Sequence, residues 1–210
     1  MDLQFGVRLA EVVRNGDEVV ATAEDGRVWR ADLAVAALGM VPETELAERA
    51  GLDVADGVVV DQRCHTSAPG ISAAGDVTVQ PHPLRGDRYR IEHLGNAQDQ
   101  AVAAVRNLLG VPTPYTPVPW SASEQYGVRL QLCGWPAAAD AYGERGCVVR
   151  GDMSTLDSPA LFWNRDRLVG TACVGRPAEF EELRRIVANH PHADLDLLAD
   201  PATGLAVVGR

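Results

Sequence analysis

The residues best suited by type and spacing to do chemistry lie in one run, Thr66-Ser67-Ala68-Pro69-Gly70-Ile71-Ser72-Ala73-Ala74-Gly75-Asp76. It follows an acidic, turn-closed segment that reads as a strand, Gly57-Val58-Val59-Val60-Asp61, and closes a small apolar stretch on Gly-Asp. Residues 71–74 are expected to form a short buried strand, and Gly75 a sharp turn with its backbone close to another group. Asp76 would then stand at the carboxyl end of a strand, where open α/β sheets bind their ligands. A carboxylate in that place can accept a hydrogen bond from a sugar hydroxyl while the next backbone N–H faces a phosphate.

Other reactive side chains carry less. Cys64, Cys133, Cys147 and Cys173 show no Cys-x-x-Cys or Cys-x-x-x-x-Cys spacing, so neither a redox disulfide nor a zinc ribbon is supported. They read as reduced, mostly buried small hydrophobes. His82, His190 and His192 sit in loop-like Pro contexts, and no His/carboxylate spacing makes a ligand set. No metal site and no catalytic acid or base is expected. Glu179, Glu181 and Glu182 read as the solvated face of a helix.

The chain has 210 residues, 46% of them apolar, which allows one large domain or two modest ones. Its formal charge of −10 argues against nucleic acid, which needs clustered positive charge. All 19 cationic residues are arginine, so an acidic protein partner would require them to gather on one face. No apolar run approaches the ~20 residues that cross a bilayer, and no signal peptide is seen; the expectation is a cytoplasmic chain without membrane contact.

Several elements must position the Gly-Asp run. Residues 5–35 read as short strands (6–13, 18–23, 27–31) joined at Asn15-Gly16 and Glu24-Asp25-Gly26. Residues 32–39 form an apolar run ending in Gly39, as a buried parallel strand would. A helix is expected over 44–50, closed by Gly51. Residues 79–90 read as an exposed loop. A helix then runs from about Asn96, its plausible N-cap, to about Leu109, stopped by Gly110. Its apolar face would hold Ala97, Ala101, Ala104, Val105 and Leu108.

Pro112, Pro114, Pro117 and Pro119 form a stiff extended linker, and a boundary is placed near 118. Beyond it, strands are expected at 128–133, 145–150, 160–164 and 168–174, with a hairpin turn at Asn164-Arg165-Asp166-Arg167. A helix over 177–189 would bury Phe180, Leu183, Ile186 and Val187. The tail would end in a strand-like piece over 204–208.

The pattern Thr-x-x-Pro-x-Ile-x-Ala-x-Gly-Asp at 66–76 resembles the second flavin-binding motif of the two-dinucleotide-domain flavoprotein reductases, whose aspartate holds the ribityl chain of FAD. Ala37, Gly39 and Pro42 resemble the Ala-x-Gly-x-x-Pro segment where such chains cross back from the NAD(P) domain into the FAD domain. Arg90, Glu92, Asn96, Ala97 and Gln100 match the stretch Arg-x-Glu-x-Trp-x-Asn-Ala-x-x-Gln-Gly, whose helix points its positive end at the flavin ring. Leu94 and Ala101 depart from it. Trp120, Ser123, Gln125 and Tyr126 match Pro-Trp-Phe-Trp-Ser-Asp-Gln-Tyr of the ferredoxin-reductase branch, which includes putidaredoxin reductase-like and biphenyl-dioxygenase-reductase-like enzymes. There Ala122 replaces a tryptophan that lies beside the flavin.

The resemblance implies an α/β fold: a partial dinucleotide-binding (FAD/NAD(P)) sheet followed by a small α+β reductase C-terminal domain. The implied divisions are 1–36, the end of an NAD(P)-binding domain; 37–117, part of an FAD-binding domain; and 118–210, the reductase C-terminal domain. FAD and NAD(P) are the implied cofactors, with Gly75, Asp76, Val77, Glu92, Asn96, Ala97, Gln98 and Ala122 as cofactor-binding residues. The implied chemistry is hydride transfer from nicotinamide to flavin, then single-electron transfer to a ferredoxin-type iron–sulphur partner.

The sequence contains neither Gly-x-Gly-x-x-Gly nor a Walker A motif. The pyrophosphate of FAD needs such a first βα turn, so the resemblance covers only the C-terminal half of a reductase. A sheet built from 32–39, 57–61 and 70–75 would also lack central strands. The expectation is a fragment or subunit completed by a missing N-terminal half or complementary chain, with a homodimer also considered. The competing expectation is a non-enzymatic docking module that binds no flavin.

Overall fold

The computed structural model describes residues 2–83, 86–138, 146–189 and 192–208. It divides into two compact units, Met1–Val41 and Pro42–Arg210.

The first unit is an antiparallel meander of β1 (Leu9–Asn15), β2 (Glu18–Ala23) and β3 (Val28–Ala31) in the order β1-β2-β3. Asn15 pairs with Glu18 across the expected two-residue turn. Ala23, at 3% exposure, belongs to the buried core, while Leu9, Val12 and Val28 are exposed. The strand expected over 32–39 is absent. Leu33, Val35 and Leu38 stand 75%, 83% and 92% exposed, and among the described residues no strand pairs with this run.

The second unit begins with α1 (Glu45–Arg49), where the sequence puts it. A four-stranded sheet follows in the order β4-β5-β6-β7: Val54–Ala55, Gly57–Val59, Thr78–Pro81 and Arg88–Tyr89. β5 and β6 run parallel. Gly57 is required here: its φ is +124°, and a Cβ would lie 2.5 Å from the Val77 carbonyl oxygen. The expected strand over 70–75 is missing, apart from a bridge between His65 and Ser72. Conversely, the stretch 79–90 is only in part an exposed loop: Pro83, Gly86, Asp87 and Arg88 are exposed, and residues 84–85 lie outside the described residues. It supplies β6 and β7, with Val79, Gln80, His82 and Tyr89 all buried.

α2 (Leu94–Leu108) is capped not by Asn96 but by His93, whose Nδ1 accepts from the Gly95 N–H at 3.0 Å. Its packed face shares only Ala104 with the buried positions expected. Asn96, Gln100, Ala103 and Ala104 are buried, while Val102, Val105 and Leu108 are at least half exposed. The prolines at 112–119 form no regular structure, but the segment is strapped down. Tyr115 N–H donates to the Gln62 carbonyl at 2.7 Å, and the Thr116 carbonyl lies 3.0 Å from His82 Nε2. His82 is therefore buried, among Tyr89 and Trp135, rather than solvated.

A five-stranded antiparallel sheet comes next, ordered β10-β11-β12-β9-β8. Its strands are β8 (Trp120–Gln125), β9 (Val128–Gly134), β10 (Cys147–Val149), β11 (Ser158–Asn164) and β12 (Arg167–Val174). β8, not foreseen from the sequence, pairs with β9 through a Tyr126-Gly127 turn in which both residues have positive φ. α3 (Pro177–Asn189) covers the sheet with Phe180, Leu183, Ile186 and Val187, each at 0% exposure. They pack with Leu161, Trp163, Leu168 and Cys173 in one core.

The tail folds as α4 (Leu195–Ala199) and α5 (Leu205–Val208), so 204–208 is helical rather than strand-like. Buried Arg150 clamps it, donating to the carbonyls of Leu198 and Thr203 and to Glu179, which is thus tied into the core edge rather than freely solvated. His190 and Arg145 lie outside the described residues. His192 is exposed, 3.1 Å from Asp166. Among the described residues no helix is long and apolar enough to cross a membrane, and no cluster of His, Cys, Asp or Glu could hold a metal ion.

Candidate functional site

The Gly-Asp run ends in a tight turn. Thr78 N–H donates to the Gly75 carbonyl at 3.0 Å, which makes Asp76 and Val77 the two central residues of a β-turn that leads into β6. Asp76 thus precedes a strand instead of ending one. Gly75, with φ +88°, lies against the first turn of α2, where an added Cβ would sit 3.6 Å from Ala97 Cβ. The turn that carries Asp76 is therefore held against the first turn of α2, which carries no acidic side chain.

Two buried oxygens of this run have no hydrogen-bond partner among the described residues, Asp76 Oδ1 and Ser72 Oγ. A native fold seldom leaves a buried carboxylate oxygen unpaired, since its desolvation goes uncompensated. Both oxygens can accept what the hydroxyls of a polyol chain donate, so these acceptors fit a sugar-like ligand.

A polar network under the turn holds this arrangement. Gln100 Oε1 accepts from the Gly75 N–H at 2.7 Å and lies 3.1 Å from Thr78 Oγ1, while Gln100 Nε2 donates to Gln80 Oε1 at 2.8 Å. Asn96 is spent within the same network. Its Nδ2 donates to the Ile91 carbonyl at 3.2 Å, and its Oδ1 accepts from Tyr115 O–H at 3.0 Å. Of the sequence-predicted residues, Gly75, Asp76, Val77, Asn96 and Ala97 are brought together. Glu92 accepts from Arg90, which also donates to the Asp56 carbonyl, and Gln98 is exposed on α2.

Beside these residues a cleft of about 280 Å³ is lined by Arg90, Glu92, His93, Trp120, Ser121 and Leu132, among others. The His93 and Trp120 rings lie 5.1 Å apart, and the Arg184 guanidinium sits 5.2 Å from the Trp120 ring centre. Ala122, on the exposed edge strand β8, does not line this cleft. Sequence reasoning missed the roles of Thr78, Gln80 and Tyr115. Thr78 and Gln80 lie on a four-residue strand and Tyr115 in an irregular segment, so their polar side chains carry no periodic signal.

Two family models match the chain: pyridine nucleotide-disulphide oxidoreductase over residues 1–101 and reductase C-terminal over residues 120–208. Among curated relatives, the 5,5'-dehydrodivanillate O-demethylase ferredoxin reductase subunit of Sphingobium is 36% identical over 97% of this chain and 48% of its own length. Putidaredoxin reductase of Pseudomonas putida is 32% identical over 98% of this chain and 48% of its own. The crystal structure of a ferredoxin reductase from Rhodopseudomonas palustris superposes with a TM-score of 0.86 at 32% identity, covering 98% of this chain and 50% of that one. The chain spans about half the length of the curated relatives it matches.

Proposed function

We propose that this chain, which belongs to the pyridine nucleotide-disulphide oxidoreductase family and carries its reductase C-terminal domain, supplies one wall of an FAD site in an NAD(P)H:ferredoxin-type oxidoreductase. The observation that carries the reading is the unpaired, buried Asp76 Oδ1 on a turn fixed beside the amino end of α2. Asp76 accepts from the ribityl hydroxyls, the Asp76-Val77 turn offers backbone N–H groups, and the start of α2 at Asn96, Ala97 and Gln98 faces the ring with its positive end. When bound, the flavin supplies electron transfer between a reduced nicotinamide and an iron–sulphur partner.

The wall facing the pyrophosphate comes from polypeptide outside these residues, either a preceding half or a complementary chain. The unpaired apolar run Leu33, Val35 and Leu38 supports this, as does the exposed outer face of α2. We assign 1–36, 37–117 and 118–210 to the end of the nucleotide domain, the flavin domain and the reductase C-terminal domain.

The test is a visible absorption spectrum with added FAD, taken on the chain alone and after co-expression with the N-terminal half of a relative. Flavin bands that co-purify with the complemented protein are expected. A colourless protein in both forms overturns the reading and favours a docking module without flavin.

A further inference from the structure

We infer that Gln100 is a positioning residue for the cofactor turn: it acts through Asp76 without touching the ligand itself. The inference rests on the flavin reading above. Gln100 is fully buried on the second turn of α2; its carboxamide oxygen lies 2.7 Å from the Gly75 nitrogen of the turn and, more distantly, 3.5 Å from Asn96 Nδ2 on its own helix. Its oxygen takes the N–H of Gly75, the first turn residue, and stands within hydrogen-bond reach of the hydroxyl of Thr78, the last. The same Thr78 hydroxyl lies 2.8 Å from the Gly75 carbonyl, so its one proton is shared between that carbonyl and Gln100 Oε1, and both ends of the turn meet at the carboxamide.

Gln100 Nε2 is anchored in its own right by Gln80 Oε1 on β6. The two residues left between the braced ends are Asp76 and Val77. A carboxylate on an unbraced turn has two soft dihedrals per residue through which to swing, and small misplacements of a binding group are costly. Replacing Gln100 by an apolar residue of similar size fills the space but strands the Gly75 N–H in a buried place.

The experiment is a double-mutant cycle on FAD affinity, read by quenching of flavin fluorescence, on the form of the protein that binds flavin. Thermal unfolding without FAD is recorded in parallel. Asp76→Ala and Gln100→Leu each weaken FAD by about tenfold, and the double variant binds no more weakly than Asp76→Ala alone. Gln100→Glu keeps an acceptor oxygen for Gly75 and stays within about threefold of native. Losses that multiply, or an unchanged affinity in Gln100→Leu, overturn the role while leaving the flavin reading intact. Absence of FAD binding by the native protein overturns that reading and the role with it. Should Gln100→Leu fail to fold, Gln100→Glu decides: a tenfold loss that persists on the Asp76→Ala background overturns the role.

Discussion

The two ends of the second unit are held together by different physics. The sheet β8–β12 with α3 has an apolar core in which Phe180, Leu161, Leu168, Leu183 and Ile186 are at most 1% exposed. The region around the Gly75 turn has a small cluster, Cys64, Ala103 and Ala104, and its fully buried α2 side chain is Gln100. Non-directional burial specifies a stable body, at roughly 25 cal/mol per Å² of apolar surface. Directional bonds among Gln100, Thr78, Gln80, Asn96 and Tyr115 specify the place of one turn. The first region is built as a core, the second as a shaped wall whose larger α2 side chains, Val102, Val105 and Leu108, face outward.

The strongest way to break that comparison is to truncate the core. Phe180→Ala should cost about 3–5 kcal/mol, because a fully enclosed ring leaves a cavity that the sheet cannot fill. Urea unfolding measures it. A cost below about 1 kcal/mol would mean that the C-terminal module does not depend on this core.

A smaller loss is expected in the wall. Tyr115→Phe removes the O–H that donates to Asn96 Oδ1 and leaves that oxygen short of a partner, for about 1–2 kcal/mol. If the same denaturation shows no change, the network is ornamental and the contrast between the two regions weakens.

His82 sharpens the comparison by pH, since it stands where the strap over 115–117 meets Tyr89 and Trp135. Burial holds its imidazole below the ordinary value of 6.5; the Thr116 carbonyl opposes this and Arg167 adds to it. With the folded value lower, the unfolded chain takes up the proton first. Stability is therefore complete above about 6.5 and falls as pH drops through that value towards the folded one. The urea midpoint of the native protein should fall more between pH 7.5 and 5.5 than that of His82→Gln. Parallel curves would show that His82 titrates alike in both states.

Legibility in the sequence followed the same divide. The periodicity of 177–189 placed α3 and its four core side chains, and Asn164-Arg165-Asp166-Arg167 placed the β11–β12 hairpin, because burial and turn chemistry are local there. Around the site, local signals misled. Residues 71–74 look like a strand but find no ladder partner beyond one bridge, whereas Gln80 and Pro81 look like loop residues yet form β6. The amphipathic pattern of α2 pointed to Val105 and Leu108 as the packed face. The actual contact is made by the polar Asn96 and Gln100, whose partners Gly75, Thr78 and Tyr115 are distant in sequence. The Gly-Asp motif itself was legible, although its carboxylate proved to sit on a turn before a strand.

The smallest expected effect falls on that misread face. Val105 and Leu108 are 54% and 50% exposed, so polar replacements remove little buried area. Val105→Gln with Leu108→Gln should change the unfolding free energy of this chain by no more than about 0.5 kcal/mol. In the complemented protein the same pair should lower the yield of co-purified flavin, because a polar patch would then have to be buried against the second polypeptide. A loss of several kcal/mol in the isolated chain would mean that the face is already covered there, and the wall would have to be redrawn as a second core.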